Sequence, residues 1–166
     1  MLNRRRLMLS AGIAAIGLPL LLGRSRNAAA EAFAVNRSDA EWRAMLTSDQ
    51  YEVLRGQGTE RPFSSALLHE ERKGNFACAG CGQDAFSSAT KFDSGTGWPS
   101  FWAPLDRQVV GTTRDTSFGM VREAVHCGRC GGHLGHVFDD GPKPTGLRYC
   151  LNGVALTFHP AERKAS

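Results

Sequence analysis

Two Cys-x-x-Cys pairs, Cys78-Ala79-Gly80-Cys81 and Cys127-Gly128-Arg129-Cys130, are each followed by a glycine, Gly82 and Gly131. No other feature of the 166-residue chain constrains its fold as much. Four thiolates at this spacing make a closed tetrahedral zinc site, structural because no coordination position stays open. The alternative is a disulfide framework, which an oxidising compartment permits. The 45 residues from Gly82 to His126 exceed the gap of a simple zinc ribbon, so one zinc per chain would join two distant parts of the sheet.

The fifth cysteine, Cys150, is left without a partner. Its stretch, Gly146 to Asn152, alternates like a half-buried strand, with Leu147, Tyr149 and Leu151 on one face and Arg148, Cys150 and Asn152 on the other. A cation beside a thiol lowers its pKa, and the thiolate is the nucleophile. The alternative is that Cys150 is one more small buried hydrophobe.

Arg4-Arg5-Arg6 precede an apolar run from Leu7 to Gly23, and small residues follow at Ala28-Ala29-Ala30. That order is expected of an export signal, with residues 1–30 removed. Asn3 to Met8 resembles the twin-arginine type, against an ordinary secretory signal or an uncleaved anchor. The run is short and broken by Gly12, Gly17 and Pro19, so stable membrane insertion of the mature chain is not expected. A periplasmic location follows. Without its five leader arginines the chain carries 15 basic against 16 acidic residues, so the sequence pI near 9.0 does not speak for a nucleic-acid partner.

Residues 31–37 read as a flexible lead-in, 38–160 as one domain and 161–166 as a tail. Ser38 with Glu41, and Thr47 with Gln50, are helix-start patterns, so two short helices open the domain as a lid. Thr59 to Phe63 is expected to be an extended connection. Beyond Asn75 the pattern turns to short strands: 75–78, 119–126, 134–138, 147–151 and 154–158. Asn152-Gly153 is a type I′ hairpin signal and predicts that the Cys150 strand pairs with Val154–Phe158.

His133-Leu134-Gly135-His136 puts two histidines three apart, which share a strand face only if the chain bulges at Gly135. As metal ligands they would be redundant; beside a lone thiol a histidine is a proton donor near neutral pH. Chance placement of the pair would need no explanation. Trp98, Phe101 and Trp102 sit in a turn-rich segment, as core caps or as an apolar wall for a methyl or thioether group.

Lys91 to Phe101, the two Cys-x-x-Cys pairs, His133 to Pro142 and Arg148 to Asn152 together resemble the B-type methionine sulfoxide reductases, in order and over Ser38–Phe158. With the leader, the resemblance is to an exported form. It implies a mainly β fold of two small antiparallel sheets with short N-terminal helices and a four-cysteine zinc distant from the active site. It implies reduction of methionine-R-sulfoxide in proteins, with a thioredoxin-like or other thiol as reductant. Carried onto this chain, Cys150 is the nucleophile and His136 the principal acid with His133 beside it. Asn152 and Arg148 orient, and Trp98, with Phe101 behind it, receives the substrate's S-methyl. Thr96 stands where many members have a resolving cysteine, and Gly153 where serine is common. Two rival readings are a zinc-knuckle binding module without chemistry and a one-cysteine peroxidase.

Overall fold

The computed structural model describes residues 33–162, so the leader and its arginines lie outside the described residues. Helix α1 (Asp39–Met45) and helix α2 (Ser48–Leu54) both start on complete capping boxes. Ser38 and Thr47 accept from the third helical amide, while Glu41 and Gln50 reach back to the cap amide, which satisfies two otherwise orphaned donors at each start. Neither helix is long enough to be stable alone, and each is held by the apolar face it buries: Trp42 and Leu46, then Val53 and Leu54. No described helix is long and apolar enough to cross a membrane.

The strands are β1 (Gly74–Cys78), β2 (Asp84–Ser87), β3 (Lys91–Phe92), β4 (Ser100–Phe101), β5 (Val110–Asp115), β6 (Arg122–Cys127), β7 (His133–Phe138), β8 (Arg148–Leu151) and β9 (Leu156–Pro160). They form two antiparallel sheets, one of order β2-β1-β9 and one of order β3-β4-β8-β7-β6-β5. Phe76 and Phe86 from the small sheet meet Phe101 from the large one, each at 4.9 Å between ring centroids. All three rings are fully buried, each stabilising by about 1.5–3 kcal/mol relative to exposure. Phe76→Ala would remove one of the contacts that join the sheets, at a cost of about 3–5 kcal/mol.

The expected Asn152-Gly153 hairpin does not form. Strand β8 pairs with β4 and β7, whereas β9 pairs with β1 in the other sheet. A type I′ turn needs positive φ at both central residues. Asn152 is instead extended (φ −69°, ψ 117°), and Gly153–Ala155 makes a 3-10 turn that carries the chain from one sheet to the other. The Asn152 side chain is engaged elsewhere, as described below.

Candidate active site and metal centre

The two cysteine pairs fold alike. Cys78 ends β1 and Cys127 ends β6, and each accepts at its carbonyl from the amide of the glycine four residues on, Gly82 and Gly131 (2.8 and 2.9 Å). Those glycines have φ of 71° and 69°, a left-handed turn that a side chain would strain. The turns bring Cys78 Sγ to 3.7 Å from Cys130 Sγ and Cys81 Sγ to 3.5 Å from Cys127 Sγ. All four sulfurs lie within 4.8 Å of one another. A tetrahedron with bonds of about 2.3 Å has edges of about 3.8 Å, whereas a disulfide is about 2.05 Å long. All five cysteines are free, and this set is arranged to hold a metal ion. It joins β1 of one sheet to β6 of the other, a wider span than the single sheet expected. Leu54 packs over Gly80 and Gly132 of the two turns, and Arg55 donates to the Cys130 carbonyl at 3.0 Å. The helical lid therefore covers the metal end.

Cys150 sits on β8, between Ser100 of β4 and His136 of β7 as cross-strand neighbours. A cavity of about 120 Å³ is lined by Cys150, His136, Trp98, Phe138, Asn152, Thr59, Arg122 and Gly135. Thr96 Oγ1 lies 3.8 Å from Cys150 Sγ. Burial pushes the Cys150 thiol up, and the Thr96 hydroxyl and the Arg148 charge pull it down without overcoming that cost. The expected lowering by Arg148 is present, but burial outweighs it and the net shift is upward. Arg148 is engaged by Asp140, donating from Nε and Nη2 at 2.8 and 2.7 Å, and its guanidinium lies over Phe138, 4.4 Å from the ring centroid. It holds the Phe138 wall of the cavity.

The two histidine rings meet, by the expected bulge, but His136 lines the Cys150 cavity whereas His133 lines a separate cleft with Phe33, Thr113 and His126. Opposite β6, Val125 faces Gly135 and His126 faces His133, so β7 carries one extra residue. A side chain at Gly135 would put its Cβ 2.1 Å from the Cys150 carbonyl oxygen, so only glycine admits this bulge beside β8. The bulge leaves the two imidazoles edge to face at 5.3 Å. They are not equivalent. His133 is buried, its Nε2 has no partner, and burial together with the neighbouring His136 pushes its pKa down to about 4. His136 Nε2 instead lies 2.8 Å from Asp115 Oδ2. Asp115 also accepts from Arg122 Nη2 (2.7 Å) and from the Ser117 amide (2.8 Å). Hydrogen bonds from Ser117, then from His136, hold its carboxyl well below the usual range. Of the two, it is His136 that lines the Cys150 cavity and has the carboxylate partner.

Trp98 lines the cavity and donates from its indole to the Glu60 carbonyl at 3.1 Å. Phe101 is not brought there. It lies wholly in the core, since β4 turns it towards Phe76 and Phe86. Asn152, 3 % exposed, donates to the Leu134 carbonyl at 3.1 Å and accepts from the Glu60 amide at 3.0 Å. Asp115 and Glu60 were missed from the sequence. Neither stands in a motif with the residue it serves, and each reaches it across the fold.

The SelR domain family matches residues 46–160. A peptide methionine sulfoxide reductase MsrB of Methanosarcina barkeri (strain Fusaro / DSM 804) is 56 % identical over 129 residues, 78 % of this chain and 91 % of that protein. The MsrB of Hahella chejuensis (strain KCTC 2396) is 51 % identical over 131 residues, covering 79 % and 94 %. That of Agrobacterium fabrum (strain C58 / ATCC 33970) is 53 % identical over 126 residues, covering 76 % and 93 %. The chain belongs to the SelR domain family.

Proposed function

We propose that the protein reduces methionine-R-sulfoxide in oxidised proteins to methionine, with Cys150 as nucleophile. The observation that carries this is the placing of Cys150 and the Asp115-bound His136 side by side in one small cavity walled by Trp98. A sulfoxide sulfur is electrophilic, but its oxygen leaves only when protonated. His136 gives its proton to that oxygen as Cys150 sulfur bonds to the sulfoxide sulfur, and the thiol proton of Cys150 replaces it on the imidazole. The oxygen then passes to Cys150 sulfur: the substrate S–O bond and the new S–S bond break as the Cys150 S–O bond forms, leaving methionine and a Cys150 sulfenic acid with no net proton exchanged. Two equivalents of thiol then return Cys150 to the thiol, releasing water and a disulfide. Thr96 at 3.8 Å, rather than a second thiol, supports an external reductant, a thioredoxin-like protein or another thiol.

The ion suited to four thiolates at this spacing is zinc, one per chain and structural. Cys81→Ser should cost the metal and with it the fold, since metal binding is folding free energy here. Metal analysis of a folded, active preparation that found none would end the assignment. The arginines and apolar run before residue 31 support export to the periplasm by the twin-arginine route. Undiminished export of the Arg4→Lys, Arg5→Lys precursor would point to the ordinary secretory route.

The deciding assay gives the mature protein each epimer of methionine sulfoxide, and separately hydrogen peroxide, with a dithiol reductant. Turnover of the R epimer well above the S epimer and peroxide is expected; faster peroxide consumption would make it a peroxidase.

A further inference from the structure

Between helix α2 and the first strand the chain crosses the site as an irregular arm, with Thr59 in the cavity wall; the extended connection expected over Thr59–Phe63 is broken at its end, where Pro62-Phe63 turns and Phe63 has a φ of 63°. Four hydrogen bonds converge on one residue of it. The Glu60 amide donates to Asn152 Oδ1 at 3.0 Å, and the Glu60 carbonyl accepts from Trp98 Nε1 at 3.1 Å. Its carboxylate accepts from the amides of Gly153 and Val154, the first two of the 3-10 turn after β8. Three residues on, the Phe63 amide donates to the Gly97 carbonyl at 2.7 Å, so the arm also grips the Trp98 loop from its other end.

We propose that Glu60 is a positioning residue, whose carboxylate clasps the Gly153 and Val154 amides and so holds its own backbone where it fixes both Asn152 and Trp98. The inference rests on reading this cavity as the sulfoxide site. An ionised carboxylate offers two acceptor oxygens to two N–H groups, a match no neutral side chain of that length makes. Gln offers one acceptor and sets an amide N–H against the second donor. The backbone bond to Oδ1 also settles which way the Asn152 amide faces, because Nδ2 is held by the Leu134 carbonyl. Losing the clasp releases one wall and one polar group together, and a displacement of about 1 Å at a reacting centre costs up to about 100-fold in rate.

The test compares the zinc-loaded wild type with Glu60→Ala and Glu60→Gln by two independent readouts. In nitrogen-15 spectra, the Trp98 indole and Asn152 side-chain amide signals should shift and lose exchange protection, while the Gly82 and Gly131 amides beside the metal stay in place. With methionine-R-sulfoxide, kcat/KM should fall at least about tenfold for Ala and less for Gln. Part of the loss should appear in KM, and the KM part should vanish in a Trp98→Phe background, where there is no indole N–H to hold. If Glu60→Ala does not fold, Glu60→Gln carries both readouts. Unmoved Trp98 and Asn152 signals, or losses that simply add to those of Trp98→Phe, would overturn the proposal. A wild type that binds no sulfoxide would instead sink the reading of the cavity, with the spectra still deciding whether the clasp exists.

Discussion

His136 Nε2 and Asp115 Oδ2 stand 2.8 Å apart although β6 lies between the strands that carry them. The pairing reaches over β6 because Asp115 ends β5, where the Ser117 amide and Arg122 also turn its carboxylate towards the site. Through this contact one of two similar histidines keeps a carboxylate partner and the other keeps none.

That asymmetry predicts unequal losses. A positioned proton donor contributes about 10²–10⁴-fold, so His136→Ala should slow the single-turnover step by that order with little change in substrate binding. Asp115→Asn, which keeps the shape and loses the charge, should cost about 10–100-fold in the same step. Single-turnover rates at saturating sulfoxide check both, and a larger loss for His133→Ala than for His136→Ala would reverse the assignment.

His133 makes a prediction about stability. Its folded pKa, near 4, lies below the ordinary 6.5, so between these values the unfolded chain binds a proton that the folded one refuses. Its contribution is undiminished above about pH 6.5, falls as pH drops through the window, and is fully lost near pH 4. Replacing it with Phe should flatten that part of the stability profile, read by denaturant melts at several pH values. A slope unchanged by the substitution would show that the imidazole is not buried neutral.

Gly153 is fixed by what it touches. A Cβ there would lie 1.9 Å from Ser65 Oγ, which is engaged in capping the 3-10 turn Ala66–His69 through the Leu67 amide. Gly153→Ala should therefore destabilise by about 1–3 kcal/mol through overpacking. Ser65→Gly in the same chain should recover most of the loss, and purely additive melting shifts would contradict the contact.

What the sequence made legible was local. Both cysteine pairs, the capping boxes at Ser38 and Thr47, the lone Cys150 and the bulge between His133 and His136 follow from spacings of two to four residues, which backbone geometry translates directly. What it hid was long-range. Glu60 serves Asn152 from 92 residues away, and Asp115 serves His136 from 21 away, with nothing periodic to join them. The Asn152-Gly153 signal misled for the same reason: Glu60 and Leu134 engage the Asn152 side chain, and tertiary bonds override the local turn preference. The sequence groups Phe101 with Trp98 at the site, but in β4 it is Ser100 that lies opposite Cys150, and the fully buried Phe101 ring packs in the core. The thiol's pKa depended on a balance that spacing does not contain, since the cost of burial outweighs the nearby cation.

The most direct test of the account gives the reduced, metal-loaded protein one equivalent of methionine-R-sulfoxide without reductant, followed by a sulfenic-acid trap and mass spectrometry of the digest. One methionine per chain, an adduct on Cys150 and retention of the metal are predicted. A disulfide from Cys150 to any of Cys78, Cys81, Cys127 or Cys130 with metal released, or methionine formed equally well by Cys150→Ser, would contradict it.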